Sequence, residues 1–206
     1  MNRTDFFAKW SALHGNAEIK GIVKTWLIIS YGSAKFISVL RITPNLLTLL
    51  GIIFAIAMAA NPLSIWTIPL LVLSLYADGI DGSVAIYQNR ASRFGAVLDS
   101  VADRISEALW FYALYAIGVP AWIPITLWSV AAFQEYARAK LISLGVSDIG
   151  VVTPAERPVR ASFLFIVLIL NQLSLPGATA LSIAFLAVQI YSFVSVVRFS
   201  RSQLLQ

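Results

Sequence analysis

Three long windows of this chain, residues 42–77, 108–134 and 161–197, contain no Asp, Glu, Lys or Arg. A helix of about 20 apolar residues crosses the hydrocarbon core of a bilayer, and only helices or closed barrels satisfy their backbones there. Each window is therefore long enough for two helices and a short turn. Breakers stand where the turns are needed: Asn61-Pro62, Gly118-Val119-Pro120 and Leu175-Pro176-Gly177. The pattern predicts six spans, at about residues 43–60, 63–88, 95–118, 121–144, 157–173 and 177–199. The charged segments alternate with the uncharged turns, so Arg41, Arg90 and Arg93, Arg138 to Arg160, and Arg198 and Arg201 all fall on one side. Positive charge marks the cytoplasmic side of the cell membrane, which makes both termini cytoplasmic. The expected fold is an all-α integral membrane protein, with a six-helix domain over residues 42–200.

Residues 1–41 read differently, as an N-terminal cytoplasmic or interfacial segment. Ala17–Leu40 mixes Lys20, Lys24 and Lys35 with Ile22, Val23, Trp26, Leu27, Ile28, Ile29, Phe36 and Ile37. That suits an amphipathic helix lying in the membrane interface. A helix packed on the cytoplasmic ends of the bundle is the alternative. The first long apolar run begins near residue 42, so no cleavable signal peptide is expected. The net charge of +5 comes from basic residues flanking apolar runs, which favours lipid headgroups over nucleic acid as the partner. The absence of Cys excludes thiol chemistry.

Against this background the acids stand out. The chain has ten, and Asp78, Asp81, Asp99 and Asp103 fall together in one short stretch. Ionisable groups near membrane helices are costly and need a reason. Spacings of three and four put each pair on one face of a helix. Two facing helices would then present four carboxylates to one point, where mutual repulsion calls for one or two divalent cations. Gly79, Gly82 and Gly95 let a ligand or the facing helix approach the backbone. Such a site suits transfer of a phosphoryl or phosphodiester group. Pairing of the aspartates with Arg90, Arg93 and Arg104 is one alternative, and a proton or ion relay is another.

The motif Asp78, Asp81, Gly82, Ala85, Gly95, Asp99, Asp103 resembles that of the CDP-alcohol phosphotransferases, position for position, and Thr43-Pro44-Asn45 resembles the opening of that family's first span. The likeness covers about residues 20–200. It implies a CDP-linked lipid donor such as CDP-diacylglycerol, a small polar alcohol acceptor, release of CMP, and two Mg²⁺ or Mn²⁺ ions. It implies that Asp78, Asp81, Asp99 and Asp103 hold the metals, with Asp103 also the general base. Asp78, Asp81, Gly82, Ala85 and Gly95 would bind the nucleotide, in a homodimer with its active site toward the cytoplasm. The family's arginine after Ala85 is Ile86 here. On a continuing helix Arg90 lies one turn on and would supply the guanidinium. The alternative implied by Ile86 is a catalytically impaired relative that binds CDP-lipid.

A second, looser likeness is to the phosphatidylinositol-phosphate synthase branch, carried by Glu156-Arg157-Pro158-Val159-Arg160. Arginine forks suit phosphate oxygens. The implied acceptor is then a phosphorylated alcohol, inositol phosphate or glycerol phosphate. Arg138, Lys140, Arg157, Arg160 and Arg198 would hold its phosphate, near the aspartates on the cytoplasmic side. Plain topological charge, with Glu156 pairing to a neighbour, is the alternative. Pro158 suits a first helical turn. His14 lies away from the motif and is not expected to act in catalysis. Trp66, Trp110, Trp122 and Trp128 read as interface anchors.

Overall fold

The computed structural model describes residues 1–146 and 151–205. Among them it has eight helices and no strand: α1 Arg3–Leu13, α2 Gly21–Val39, α3 Pro44–Ala60, α4 Thr67–Tyr87, α5 Arg93–Ala116, α6 Trp122–Ser143, α7 Arg157–Gln172 and α8 Ala178–Leu204. The last six coincide with the six expected segments to within a few residues. α4 and α8 are each long and apolar enough to cross a membrane, and α2 and α3 together form a pair bent by 104° that also qualifies.

The turns sit where the sequence punctuates. Asn61 Nδ2 caps back onto the Ala57 carbonyl, and Thr67 Oγ1 donates to the carbonyls of Asn61 and Ser64. Gly118 and Gly177 have φ of 99° and 117°, a region closed to most side chains. α1 was not legible as a separate element. Its start is fixed by Asn2, whose Oδ1 accepts from the Asp5 N–H at 2.8 Å.

The chain forms two compact units. The first comprises Met1–Ile56 and Val72–Ser106, the second Ala57–Leu71 and Glu107–Gln206. In the first unit α2 packs on α3 and α4 through Ala34, Ile37, Leu47, Ile80 and Val84. Tyr76 donates to Ser33, and Gln88 donates to Ser38 and to the Ile42 carbonyl. Gly51 lets α4 close on α3. A Cβ there would stand 3.4 Å from the Ser74 carbonyl, and Ser74 Oγ donates to the Gly51 carbonyl at 2.8 Å. In the second unit Leu127, Leu164 and Leu168 are fully buried, and Phe163 stacks on Phe185 at 4.2 Å.

Candidate metal centre

α4 ends at Tyr87, and Asn89 turns the chain with φ of 55°. Ser92 starts α5 by accepting from the Gly95 N–H at 3.0 Å. This tight connection follows Asp78 and Asp81 on α4 and precedes Asp99 and Asp103 on α5. Asp78, Asp99 and Asp103 each offer an oxygen, and those oxygens lie within 4.8 Å of one another on half-buried side chains. Ligands about 2.1 Å from an octahedral ion are roughly 3–4 Å apart, so small side-chain rotations fit these three to Mg²⁺ or Mn²⁺. Arg104 stands 3.6 Å from Asp103.

Asp81 is placed otherwise. It is buried, accepts from Thr48 Oγ1 at 2.5 Å and takes its own neighbour's N–H, from Gly82, at 2.5 Å. Three of the four expected ligands thus form a group, while the fourth is held by α3. Thr48→Val keeps the shape and removes the donor. It is expected to destabilise the chain by about 1–3 kcal/mol, the cost of a buried acceptor left short of a partner. Thr48→Ser should lose far less, as read by thermal unfolding in detergent.

The glycines separate into two kinds. A Cβ at Gly79 would meet the Trp26 ring at 3.1 Å, and one at Gly95 would meet Ser92 Oγ at 3.1 Å and Asn45 Oδ1 at 3.6 Å. Both spaces are taken by protein. Gly82 has nothing within 4 Å, so open space lies beside Asp81, and Ala85 is only half-buried. Ile86 is buried against Phe6 and Leu27. The helical premise for Arg90 is corrected: α4 stops at Tyr87, and Arg90 is an exposed residue of the connection whose N–H reaches back to the Ala85 carbonyl at 2.8 Å.

The basic residues of the second unit lie in a polar network. Arg160, with a fully buried side chain, donates to Glu107 at 2.6 Å, to the Ala155 carbonyl at 2.6 Å and to Glu135 at 3.0 Å. Arg138 grips Glu156 with both terminal nitrogens, at 2.6 and 2.5 Å, and also donates to the Val151 carbonyl. Thr153 adds its N–H and hydroxyl to Glu156, both at 2.7 Å. Gln189 donates to Gln134, which donates to Thr153, and the Ala155 N–H meets Ser192. Lys140 and Arg198 are exposed. Arg157 sits 5.1 Å over the ring of Trp110. Trp110 is buried, so its reading as an interface anchor is corrected; Trp66, Trp122 and Trp128 are exposed. Glu107 and Glu135 were missed, although they bracket the charge-free window 108–134.

Burial alone would push the Glu156 carboxyl up. The hydrogen bonds from Arg138 and Thr153 outweigh it and bring the group down to about 2. A carboxyl depressed on folding stabilises the fold above its unfolded value, near 4.5, and that contribution is lost as pH falls toward 2. Glu156→Gln should therefore lower the unfolding temperature at pH 6, and the gap from the parent should narrow between pH 4.5 and the lowest pH reached.

Comparison with known proteins agrees with this motif. The CDP-alcohol phosphatidyltransferase family model matches residues 41–197. An archaetidylinositol phosphate synthase of Aeropyrum pernix is 35% identical over 158 residues, covering 73% of this chain and 80% of the relative. A phosphatidylinositol phosphate synthase of Corynebacterium glutamicum is 32% identical over 196 residues, covering 88% and 85%. In fold the chain is similar to the Mycobacterium tuberculosis phosphatidylinositol phosphate synthase solved with CDP-DAG bound, with TM-score 0.64 and 24% identity over 84% of this chain and 93% of that one. The same enzyme has been solved with manganese and citrate, and that structure matches with TM-score 0.63 and 23% identity, covering 83% and 88%. The spaced aspartates and the match along most of the sequence place this chain in the CDP-alcohol phosphatidyltransferase family, as a membrane-type transferase of phospholipid synthesis.

Proposed function

We propose that the chain transfers a phosphatidyl group from a CDP-linked lipid such as CDP-diacylglycerol to a hydroxyl of inositol phosphate, with release of CMP. The observation that carries this reading is the meeting of Asp78, Asp99 and Asp103 within 4.8 Å, contributed by two successive helices. Asp78, Asp99 and Asp103 would hold Mg²⁺ or Mn²⁺, with Asp81 beside them. Bound there, a divalent cation supplies charge neutralisation at the donor's phosphate oxygens. Asp103 accepts the proton of the acceptor hydroxyl. The freed oxygen forms its bond to the lipid-side phosphorus as the bond from that phosphorus to CMP breaks, and CMP leaves with the electron pair. Open space at Gly82 and the small Ala85 leave room for the nucleotide, and Arg90 is free of the helix to reach it.

The phosphorylated acceptor rests on the basic block and on the relatives' names. Lys140, Arg157 and Arg198 are the direct phosphate contacts in this reading. Arg138 and Arg160 belong to the same set, and their grip on Glu156, Glu107 and Glu135 orders the segment that presents it. In the membrane α3 to α8 form the six crossings. In this reading α2, bent by 104° from α3, lies in the cytoplasmic interface; both termini are cytoplasmic, and the chain works as a homodimer. The intact acid triad favours catalysis over mere binding despite Ile86.

The test is CMP release from labelled CDP-diacylglycerol in detergent, with Mg²⁺ or Mn²⁺ and a panel of inositol phosphate, glycerol phosphate, free inositol and serine. Product with inositol phosphate alone is expected. Product with an unphosphorylated alcohol overturns the acceptor reading, and no CMP with any acceptor overturns the transfer reading.

A further inference from the structure

Ile86 stands where the family pattern has an arginine, and the structure gives it an occupation of its own. Ile86, Phe6 and Leu27 form one buried cluster, with Phe6 and Leu27 fully enclosed. Phe6 comes from α1, Leu27 from α2 and Ile86 from the last turn of α4. The dock is fastened around its rim. Tyr31 contacts Phe6 at 5.5 Å between ring centres and Tyr87 at 5.8 Å, and its hydroxyl donates to the Met1 carbonyl. Lys9 donates to Asn89 at 2.5 Å, at the left-handed residue where the chain leaves α4 for α5.

This clamp grips a mechanically sensitive point. Ile86 is eight residues past Asp78 on the same helix, about 12 Å along its axis. Asn89 lies in the short connection before α5, which carries Asp99 and Asp103. The mutual placement of those carboxylates depends on how that connection is held. We propose that α1 is a positioning element of the aspartate centre, with Ile86 as its apolar seat and Lys9 as its latch on the α4–α5 connection. The inference rests on the reading of Asp78, Asp99 and Asp103 as a metal centre. An arginine at 86 would have to bury a guanidinium against Phe6 and Leu27 or expel α1 to reach water. The residue that completes the family motif is therefore the wrong residue for this chain.

The full chain in detergent is titrated with Mn²⁺, with binding followed by the loss of the free-ion electron paramagnetic resonance signal. Donor KM, kcat and unfolding temperature are measured alongside. Ile86→Arg and Phe6→Ala are each expected to weaken Mn²⁺ binding about tenfold, the low end for residues that orient ligands from outside the coordination sphere. The double variant should be little worse than either single one, because both remove one contact. Phe6→Leu should recover most of the affinity, and the exposed Lys9→Met should lose a few-fold without loss of folding. Those two variants decide the matter if Phe6→Ala does not fold. Ile86→Arg binding and turning over as well as the parent overturns the proposal. So does a Phe6→Ala variant that only melts earlier, with Mn²⁺ affinity and donor KM unchanged. Asp78→Asn keeps the two readings apart: if it binds Mn²⁺ like the parent, the metal centre itself is misplaced.

Discussion

Asp103→Asn is expected to cut CMP release by about 10²–10⁴-fold, the range over which a positioned general base contributes. The substitution removes a proton acceptor and one anionic ligand while preserving volume, so unfolding temperature should stay close to the parent's. The comparison that assigns the role is with Asp78→Asn and Asp99→Asn. A lost ligand weakens cation binding, and raised Mn²⁺ recovers part of the rate. A lost base is not replaced by any concentration of metal, so Asp103→Asn should stay inactive at saturation. The oxygens of the three side chains lie within 4.8 Å of one another, so each variant should also shift Mn²⁺ affinity. Full activity of Asp103→Asn at saturating metal removes Asp103 as the base. An unchanged Mn²⁺ affinity in all three variants removes the centre.

The helices were legible because absence of charge is a long-range signal: each window of twenty-seven or more uncharged residues has few ways to satisfy its backbone in lipid. The acid group was legible because the spacing of four from Asp99 to Asp103 survives folding as a helix face, while Asp81 is held by Thr48 instead. What failed to show is partnership between residues without a sequence relation. Thr48 sits inside an apolar run, and nothing in its spacing points to Asp81 on another helix. Arg90 was expected one helical turn on from Ile86, whereas α4 ends at Tyr87 and Asn89 turns the chain. Trp110 read as an anchor because it lies in an apolar run that looked lipid-facing. Its burial beneath Arg157 depends on α7. Charge density near residues 138–160 suggested a phosphate site, but the signal for what Arg138 and Arg160 touch lay in the acids, Glu107 and Glu135 at the window's edges and Glu156 in the loop.

Arg160 carries the largest expected stability effect. Its guanidinium joins Glu107, Glu135 and the Ala155 carbonyl, with the Arg160 and Glu107 side chains wholly shielded from solvent. Removing one member of a buried pair takes a compensating charge from the groups it held, at a cost of about 3–5 kcal/mol. Arg160→Met should therefore lower the unfolding temperature more than any other single change described above. Arg160→Lys keeps the charge but not the fork. One ammonium lacks the planar geometry that serves two carboxylates and a carbonyl together, so rescue should be partial. Glu107→Gln combined with Arg160→Met should be milder than the sum of the singles, since both remove the same buried contact. Kinetics then separate structure from recognition. If Arg160 chiefly orders the segment from Val151 to Arg157, the Lys variant's loss of activity should follow its loss of folded protein, with acceptor KM near the parent's. An acceptor KM raised tenfold or more in a stably folded Arg160→Lys would instead mean that this guanidinium leaves its glutamates to meet the acceptor's phosphate.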